Sequence, residues 1–394
     1  MIYKKSCSIS REKLMKKIAI IGAGISGLFI ANLLKKNSNY QISIYEKNNS
    51  INLDEGYGIQ LSVNSVKLLN KIGFYKFKDE KKFNPDKINF YSIKSTKKIC
   101  DLDISYFNSK DCKYTTLKRS DLINFLNKDV KDLIKHSHSI SQIEHENHKI
   151  KLTFENRENS ECDYLIISDG VFSNSKNLIS KNPTQPKYNN TLAIRGMIPN
   201  SPKIDYKNIS LFLGHDFHQV IYPVSQNGDL NFIAIMRYEL TLEKQKNYSL
   251  FSESSFIKKV LENVPKENKV FFENVKELKI FPVFVSSDFF ETKNDNINLI
   301  GDAFFAFQPS FAQGASQSIE SAYELFKCIE NNTEANYFKS RVYKTKMVNN
   351  RSKFNQFAFH LSSPFTTFFR NIFLKRLVKN KKFLESYLGK IYNN

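Results

Sequence analysis

Tryptophan is absent from this chain of 394 residues, and cysteine occurs only five times. Cys7, Cys100, Cys112, Cys162 and Cys328 are scattered, odd in number and never spaced as Cys-x-x-Cys. That distribution argues against a disulfide framework and a zinc site, and points to a reducing, cytoplasmic compartment. His136, His138, His145 and His148 cluster, but in a polar, hairpin-like stretch with no neighbouring cysteine, so no metal site is expected. Long apolar runs are missing too: nothing approaches the roughly 18–20 residues that a membrane-spanning helix needs. The first 14 residues lack the apolar centre of a signal peptide and read as a disordered extension before a natural start at Met15. Acids are scarce, 39 against 59 Lys and Arg, leaving a formal charge of +20. Such an excess ordinarily suggests nucleic acid or an anionic surface. Here Lys, Asn and Ile are abundant throughout, the mark of a compositional bias, and no nucleic-acid partner is expected. The charge does concentrate at one end: residues 341–394 hold 12 Lys or Arg and one acid, Glu385. A solvated helical surface is the preferred reading of this tail, with contact to an anionic membrane surface or an acidic partner second.

What is present is organised around Lys17 to Glu46. Ile18 to Ile21 is an apolar run of strand length, followed at once by Gly22-Ala23-Gly24-Ile25-Ser26-Gly27 and an apolar-periodic helix. A second strand, Gln41 to Tyr45, ends in Glu46, with Lys47 after it. Gly22 suits the tight turn, Gly24 lets backbone approach a pyrophosphate, and Gly27 lets helix and strand pack closely. The helix N-terminus offers free N–H groups and a positive dipole end to phosphates, and Glu46 is placed to hold a ribose. Strand, glycines, helix, strand and acid in register specify a dinucleotide site far better than the glycines alone.

Two further buried strands end in comparable signals. Tyr164 to Ser168 runs into Asp169-Gly170, and Ile297 to Ile300 runs into Gly301-Asp302. Open α/β sheets bind ligands at such strand ends. Asp302 can hold the hydroxyls of a polyol, and the backbone near Gly314, opening a helix from Gly314 to about Glu330, can stabilise negative charge on a heterocycle. Nucleotide, polyol and electron-accepting ring together describe FAD better than NAD. Elsewhere, a helix with Val66, Leu69 and Ile72 on one face follows Gly56-Tyr57-Gly58-Ile59-Gln60-Leu61, and Ser120 or Asp121 reads as the N-cap of another. Residues 85–116 alternate in the strand manner, 138–156 read as a hairpin, and 186–285 carry longer strands punctuated by Pro199, Pro202, Pro223 and Pro282. The expected fold is α/β: a Rossmann-like FAD-binding domain of 15–90, 115–185 and 290–340, an inserted, mainly β substrate domain of 91–114 and 186–289, and C-terminal helices over 341–394.

These motifs, with SDGVFSNSK at 168–176, LAIRGMIP at 192–199, HQVIYPV at 218–224, LIGDAFFAFQPSFAQGASQSIESA at 299–322 and HLSSPFTTFFRN at 360–371, resemble the single-component FAD-dependent aromatic hydroxylases, the family of p-hydroxybenzoate hydroxylase. Within it the chain looks most like the salicylate hydroxylase and hydroxynicotinate monooxygenase branch, from about Lys16 to the C-terminus. The resemblance implies cofactor contacts at Gly22, Gly24, Ile25, Ser26, Gly27, Glu46, Lys47, Gln60, Arg119, Asp169, Asp302, Pro309, Gly314 and Ala315. It also implies flavin reduction by a visiting NAD(P)H, capture of O2 as a C4a-hydroperoxide, and oxygen transfer to a small aromatic substrate by a monomer or homodimer. His218 and Tyr222 match the branch's catalytic His and Tyr; their even spacing puts them on one face of a strand. His215 is the competing base, and Arg195 is a candidate for a substrate carboxylate. Two departures stand out: Phe304-Phe305 after Gly-Asp-Ala, expected to alter pocket polarity, and Lys176 where the family has Arg, which loses bidentate contact. A membrane-surface hydroxylase of ubiquinone precursors and a non-catalytic FAD-binding protein are the alternatives; flavin halogenases, with their Trp-containing motifs, do not fit. Because residues 1–14 carry no apolar pattern, a chain started at Met15 is expected to fold and take up FAD like the full chain. Flavin content after purification checks this, and loss of flavin on truncation overturns it.

Overall fold

In the computed structural model, which describes residues 15–51, 53, 57–146, 149–181, 185–198 and 207–392, the strand Lys16–Ile21 buries Ile18 to Ile21 on both faces, as a strand inside a parallel sheet must. The expected 1–14 extension, Gly56, His148, Pro199 and Pro202 lie outside the described residues. Lys16–Ile21 pairs in parallel with Tyr40–Tyr45 on one side and Tyr164–Ile167 on the other. Ile297–Leu299 and the short Ile134–Lys135 complete five parallel strands. Backbone bonds carry the ladder past the strand ends: Gly22 N–H donates to Tyr45 O (2.8 Å), Ser168 N–H to Ile21 O (2.8 Å) and Ile300 N–H to Ile167 O (2.9 Å). The glycine turn, Asp169-Gly170 and Gly301-Asp302 therefore leave one carboxyl edge side by side. Helix Ile25–Leu34, almost wholly buried, and helix Gly314–Asn331 share the core of this layer.

A seven-stranded sheet forms the second layer, in the order Lys276–Val285, Lys187–Ile198, Leu230–Arg237, Phe217–Pro223, Ile209–Gly214, Lys87–Ser92, Lys98–Asp103. All its pairings are antiparallel except Ile209–Gly214 with Lys87–Ser92. Lys87–Ser92 thus pairs across the boundary expected at residue 90. Pro282 sits in an edge strand, where its missing N–H costs no ladder bond. Side-chain alternation divides the sheet: Phe217, Ile221, Phe232, Ala234 and Met236 pack on one face with Phe256 and Val260 of helix Ser254–Glu262. That helix, with Leu242–Lys246 and Lys269–Phe272, interrupts the strands of this mainly β stretch. Another local expectation also shifts. Helix Arg119–Asn127 begins one residue before Ser120, with Lys118 as N-cap and no side-chain cap bond.

Helices Tyr337–Phe359 and Pro364–Leu377 and the short turns after them follow in the chain. Buried Arg341 joins the first of these to Gly314–Asn331: Nη2 donates to Gln317 O (3.1 Å) and Oε1 (2.7 Å), and Nη1 lies 3.6 Å from Glu320 and 3.5 Å from Glu324. Lys344 Nζ stands 3.3 Å from Glu320, whose other oxygen accepts from Asn64 (2.7 Å) and Gln317 (3.0 Å). Removing one partner of a buried ion cluster strands the remaining charge, at about 3–5 kcal/mol. Arg341→Ala is expected to lower stability by that amount, read from the urea unfolding midpoint; an unchanged midpoint would show the cluster to be dispensable.

Candidate cofactor and substrate site

Three glycines at the turn have different surroundings. Gly22 has φ +100°, and a Cβ there would lie 2.7 Å from Ser168 O. A Cβ on Gly27 would lie 2.1 Å from Gly22 O, so helix and turn can approach only without a side chain. A Cβ on Gly24 would meet nothing within 4 Å: the space before the helix N-terminus is open, as a bound phosphate requires. Glu46 is fixed beside this space, one oxygen accepting from Ala23 N–H (3.0 Å), the other from the N–H (3.1 Å) and side-chain amide (2.9 Å) of Asn48. Lys47 is exposed next to it. Ser26 lies against Gly301, φ +61°, where a Cβ would come within 2.6 Å of the Ser26 hydroxyl. This contact joins the nucleotide turn to the Gly301-Asp302 loop.

Asp169 is used locally. Its Oδ2 accepts from Ser175 N–H (3.1 Å) in helix Asn174–Ile179, where Ser173 Oγ accepts from Lys176 N–H (3.0 Å). The other oxygen, Oδ1, is buried with no hydrogen-bond partner among the described residues, an acceptor left for a bound group. The Lys176 side chain is buried; burial lowers its pKa, and the nearby Asp169 charge opposes that.

A cavity of about 440 Å³ opens between the two sheets and the C-terminal helices. Gln60, Arg195, His218, Tyr222, Asp302, Pro309, Gly314 and Ala315 all line it. Asp302 faces the open space and is enclosed elsewhere; this enclosure pushes its carboxyl up to about 6, while Arg119 pulls it back. Gly314 opens an 18-residue helix, and a Cβ there would meet nothing within 4 Å, so its N-terminus also fronts open space. Just before it, Ala312 holds a left-handed φ of +51°, a strained conformation of the kind found at ligand clamps. Open space before two helix N-termini, an acid facing the cavity and an orphaned acceptor fit the parts of FAD that the sequence assigns to them.

Strand Phe217–Pro223 turns His218, Val220 and Tyr222 toward the cavity and Phe217 and Ile221 toward the opposite core, as a period of two dictates. His218 is buried, and its Nδ1 is 2.8 Å from His360 Nε2. Burial, then the neighbouring ring, holds His218 well below the usual 6.5, and burial pushes His360 down to about 4. Burial raises the Tyr222 hydroxyl far above 10, with Arg195 opposing. The hydroxyl of Tyr114 donates to Gln60 Oε1 (2.8 Å). Sequence reading missed His360 and Tyr114; HLSSPFTTFFRN does begin with this histidine, but nothing local ties it to residue 218. His215 sits on an exposed turn beside Asp216 and does not line the cavity. Phe304 and Phe305 do not line it either: Phe305 stacks on Phe289 at 4.7 Å in the core, and both border a smaller pocket beside Asp302 and Gly314. No cluster of potential metal ligands occurs among the described residues, and no helix among them is long and apolar enough to cross a membrane.

Known proteins resemble the chain in sequence and in fold. The chain is 23% identical to 6-hydroxynicotinate 3-monooxygenase of Pseudomonas fluorescens, over 80% of this chain and 82% of that protein. It is 22% identical to salicylate hydroxylase of Pseudomonas putida, over 82% and 78%. In fold it resembles a salicylate hydroxylase substrate complex, with a TM-score of 0.78 and 19% identity over 97% of this chain and 96% of that one. Klebsiella pneumoniae HpxO complexed with FAD and uric acid gives 0.78 at 16% identity, over 92% and 95%. A family model described as FAD binding domain matches residues 15–334. The chain belongs to this family of FAD-binding flavoproteins.

Proposed function

We propose that the protein is a monooxygenase that uses FAD, NAD(P)H and O2 to hydroxylate a small aromatic substrate bearing a hydroxyl group. One observation carries this reading: His218 and Tyr222 share a single cavity with Asp302, Pro309 and Gly314. The relatives named for hydroxylation of salicylate and 6-hydroxynicotinate support the substrate class. Residues 15–90, 115–185 and 290–340 hold the cofactor, 91–114 and 186–289 the substrate, with strand Lys87–Ser92 counted on the substrate side, and 341–394 close the cavity.

In this reading Gly24, Ile25, Ser26 and the helix N-terminus bind the pyrophosphate, and Glu46 with Lys47 the adenosine ribose. Arg119 and Asp302 hold the ribityl region, Gly314 and Ala315 meet the pyrimidine edge, and Pro309 lines the reacting side. Gln60 and Asp169 complete the set. The bound flavin supplies the activation of O2 that no side chain can perform. The chain's own residues supply polar groups to a largely apolar chamber. Arg195 attracts a substrate carboxylate. In the tautomer whose Nδ1–H donates to His360 Nε2, His218 carries its lone pair on Nε2 and takes the proton of the substrate hydroxyl there, while Tyr222 orients the ring. Removing that proton raises electron density on the ring, which speeds attack by an electrophilic oxygen. Two apolar walls exclude water and limit loss of the activated oxygen.

Flavin occupancy tests the cofactor half. Gly24→Val is expected to abolish FAD binding by filling the phosphate space, and Asp302→Ala to weaken it by about 1–3 kcal/mol for lost charge-assisted bonds. Unchanged occupancy in both overturns the assignment. Kinetics test the substrate half. General-base assistance is worth about 10²–10⁴-fold, so His218→Ala is expected to keep its FAD and lose hydroxylation by that range. The loss shrinks at high pH, where the substrate ionises unaided, and peroxide release rises as coupling falls. Because burial depresses His218, the acid limb of the wild-type kcat/KM profile is expected below pH 6.5. A variant with wild-type rate and pH profile would place the base elsewhere.

A further inference from the structure

Helix Pro364–Leu377 has 14 residues and none of them is buried. Phe365, Phe368, Phe369 and Phe373 are 72%, 61%, 41% and 57% exposed. They recur at helical spacing, so they form one outward stripe. Four adjacent exposed phenylalanines form an apolar patch of the kind that marks an interaction surface. The surroundings are basic: Lys375, Arg376, Lys379, Lys381 and Lys382 are all exposed, and the one acid of the tail, Glu385, already accepts from Tyr106. An apolar stripe bordered by Lys and Arg matches an anionic bilayer, into which aromatic side chains insert while cations meet the headgroups.

The inner side of the same segment faces an apolar part of the same cavity. Leu374, Leu377 and Val378 line the cavity opposite Ile88, Phe90 and Leu211 of the seven-stranded sheet. The apolar walls continue past the polar end at His218, Tyr222 and Arg195. Phe354, itself 56% exposed, lines the same cavity and so stands at its rim. A salicylate-sized acid has no atoms to offer this compartment.

We propose that Pro364–Leu377 seats the protein on an anionic membrane surface, and that the compartment behind it receives the aliphatic tail of a hydroxylated aromatic dissolved in that membrane. The head group rests on the hydroxylase reading above; the membrane seat does not. The aromatic head reaches His218 while the tail lies between the strands and Leu374, Leu377 and Val378.

The full-chain holoenzyme is sedimented with phosphatidylcholine vesicles, with and without phosphatidylglycerol, at low and high salt. Binding to the anionic vesicles alone, released by high salt, is expected. F365S/F369S/F373S is expected to keep its flavin and lose about tenfold or more in partitioning. No binding at low salt, or equal binding by the variant, overturns the membrane seat. So does a wild-type dimer that the variant dissolves without any vesicle binding. Hydroxybenzoates with alkyl chains of increasing length are then titrated against the bound flavin's absorbance. The dissociation constant is expected to fall up to about fourfold per methylene until the compartment fills, and Leu377→Glu to flatten the series. A flat series in an enzyme that still hydroxylates overturns the compartment and leaves the hydroxylase reading standing. Chain-length gain without hydroxylation of any phenolic overturns the hydroxylase reading alone.

Discussion

Everything at this site depends on how closely the first helix approaches the turn that precedes it. A Cβ on Gly27 would sit 2.1 Å from Gly22 O, and Ser168 Oγ donates toward the same ridge, to Ile21 O (2.8 Å) and Gly22 O (3.0 Å). Because that contact is tight, the N-terminus of Ile25–Leu34 is held directly over the strand ends, and Ser26 reaches the Gly301 loop. Parallel pairing completes the arrangement. Strands in one direction bring their following loops to one edge, so three segments separated by more than 100 residues deliver a helix dipole and two acids to a common edge.

The second layer uses a different rule to the same end. An antiparallel sheet with one face on its own helices has its other face available, and strict alternation assigns His218, Val220 and Tyr222 to that face. The strand-end loops and the free face of the seven-stranded sheet are then closed over by C-terminal helices, which are tied in through Arg341 and its carboxylate partners. The cavity is thus largely apolar, with ionisable groups at Arg195, His218, Tyr222 and Asp302 among its polar lining residues. That contrast is what makes protonation states there unusual. Burial keeps His218 neutral, and enclosure lifts the Asp302 carboxyl toward 6.

Much of this was legible in the chain because its causes are local. Strand Lys16–Ile21, helix Ile25–Leu34 and helix Gly314–Asn331 follow from apolar runs and glycines within a few residues of each other. The common face of His218 and Tyr222 needs only the period of a strand. Errors arose where neighbours in space decide. Ser120 resembles an N-cap, yet pairing of Thr115–Lys118 with Gly58–Leu61 carries the strand to Lys118 and starts the helix at Arg119. Nor does the position of Phe305 after Asp302 reveal that Phe289, 16 residues earlier, stacks on its ring in the core.

By itself, then, the sequence determined the glycine turn, the three strand-end motifs and the family to which they belong, since each is a short pattern with a mechanism of its own. Tertiary structure alone decided that His360 contacts His218 across 142 positions, that His215 stays outside, and that Leu374 and Leu377 wall a cavity while Phe365 and Phe368 remain uncovered. The physical reason is the same in each case. Composition and periodicity state which side chains share a face of one element, whereas burial depends on what another element, distant in sequence, lays against that face.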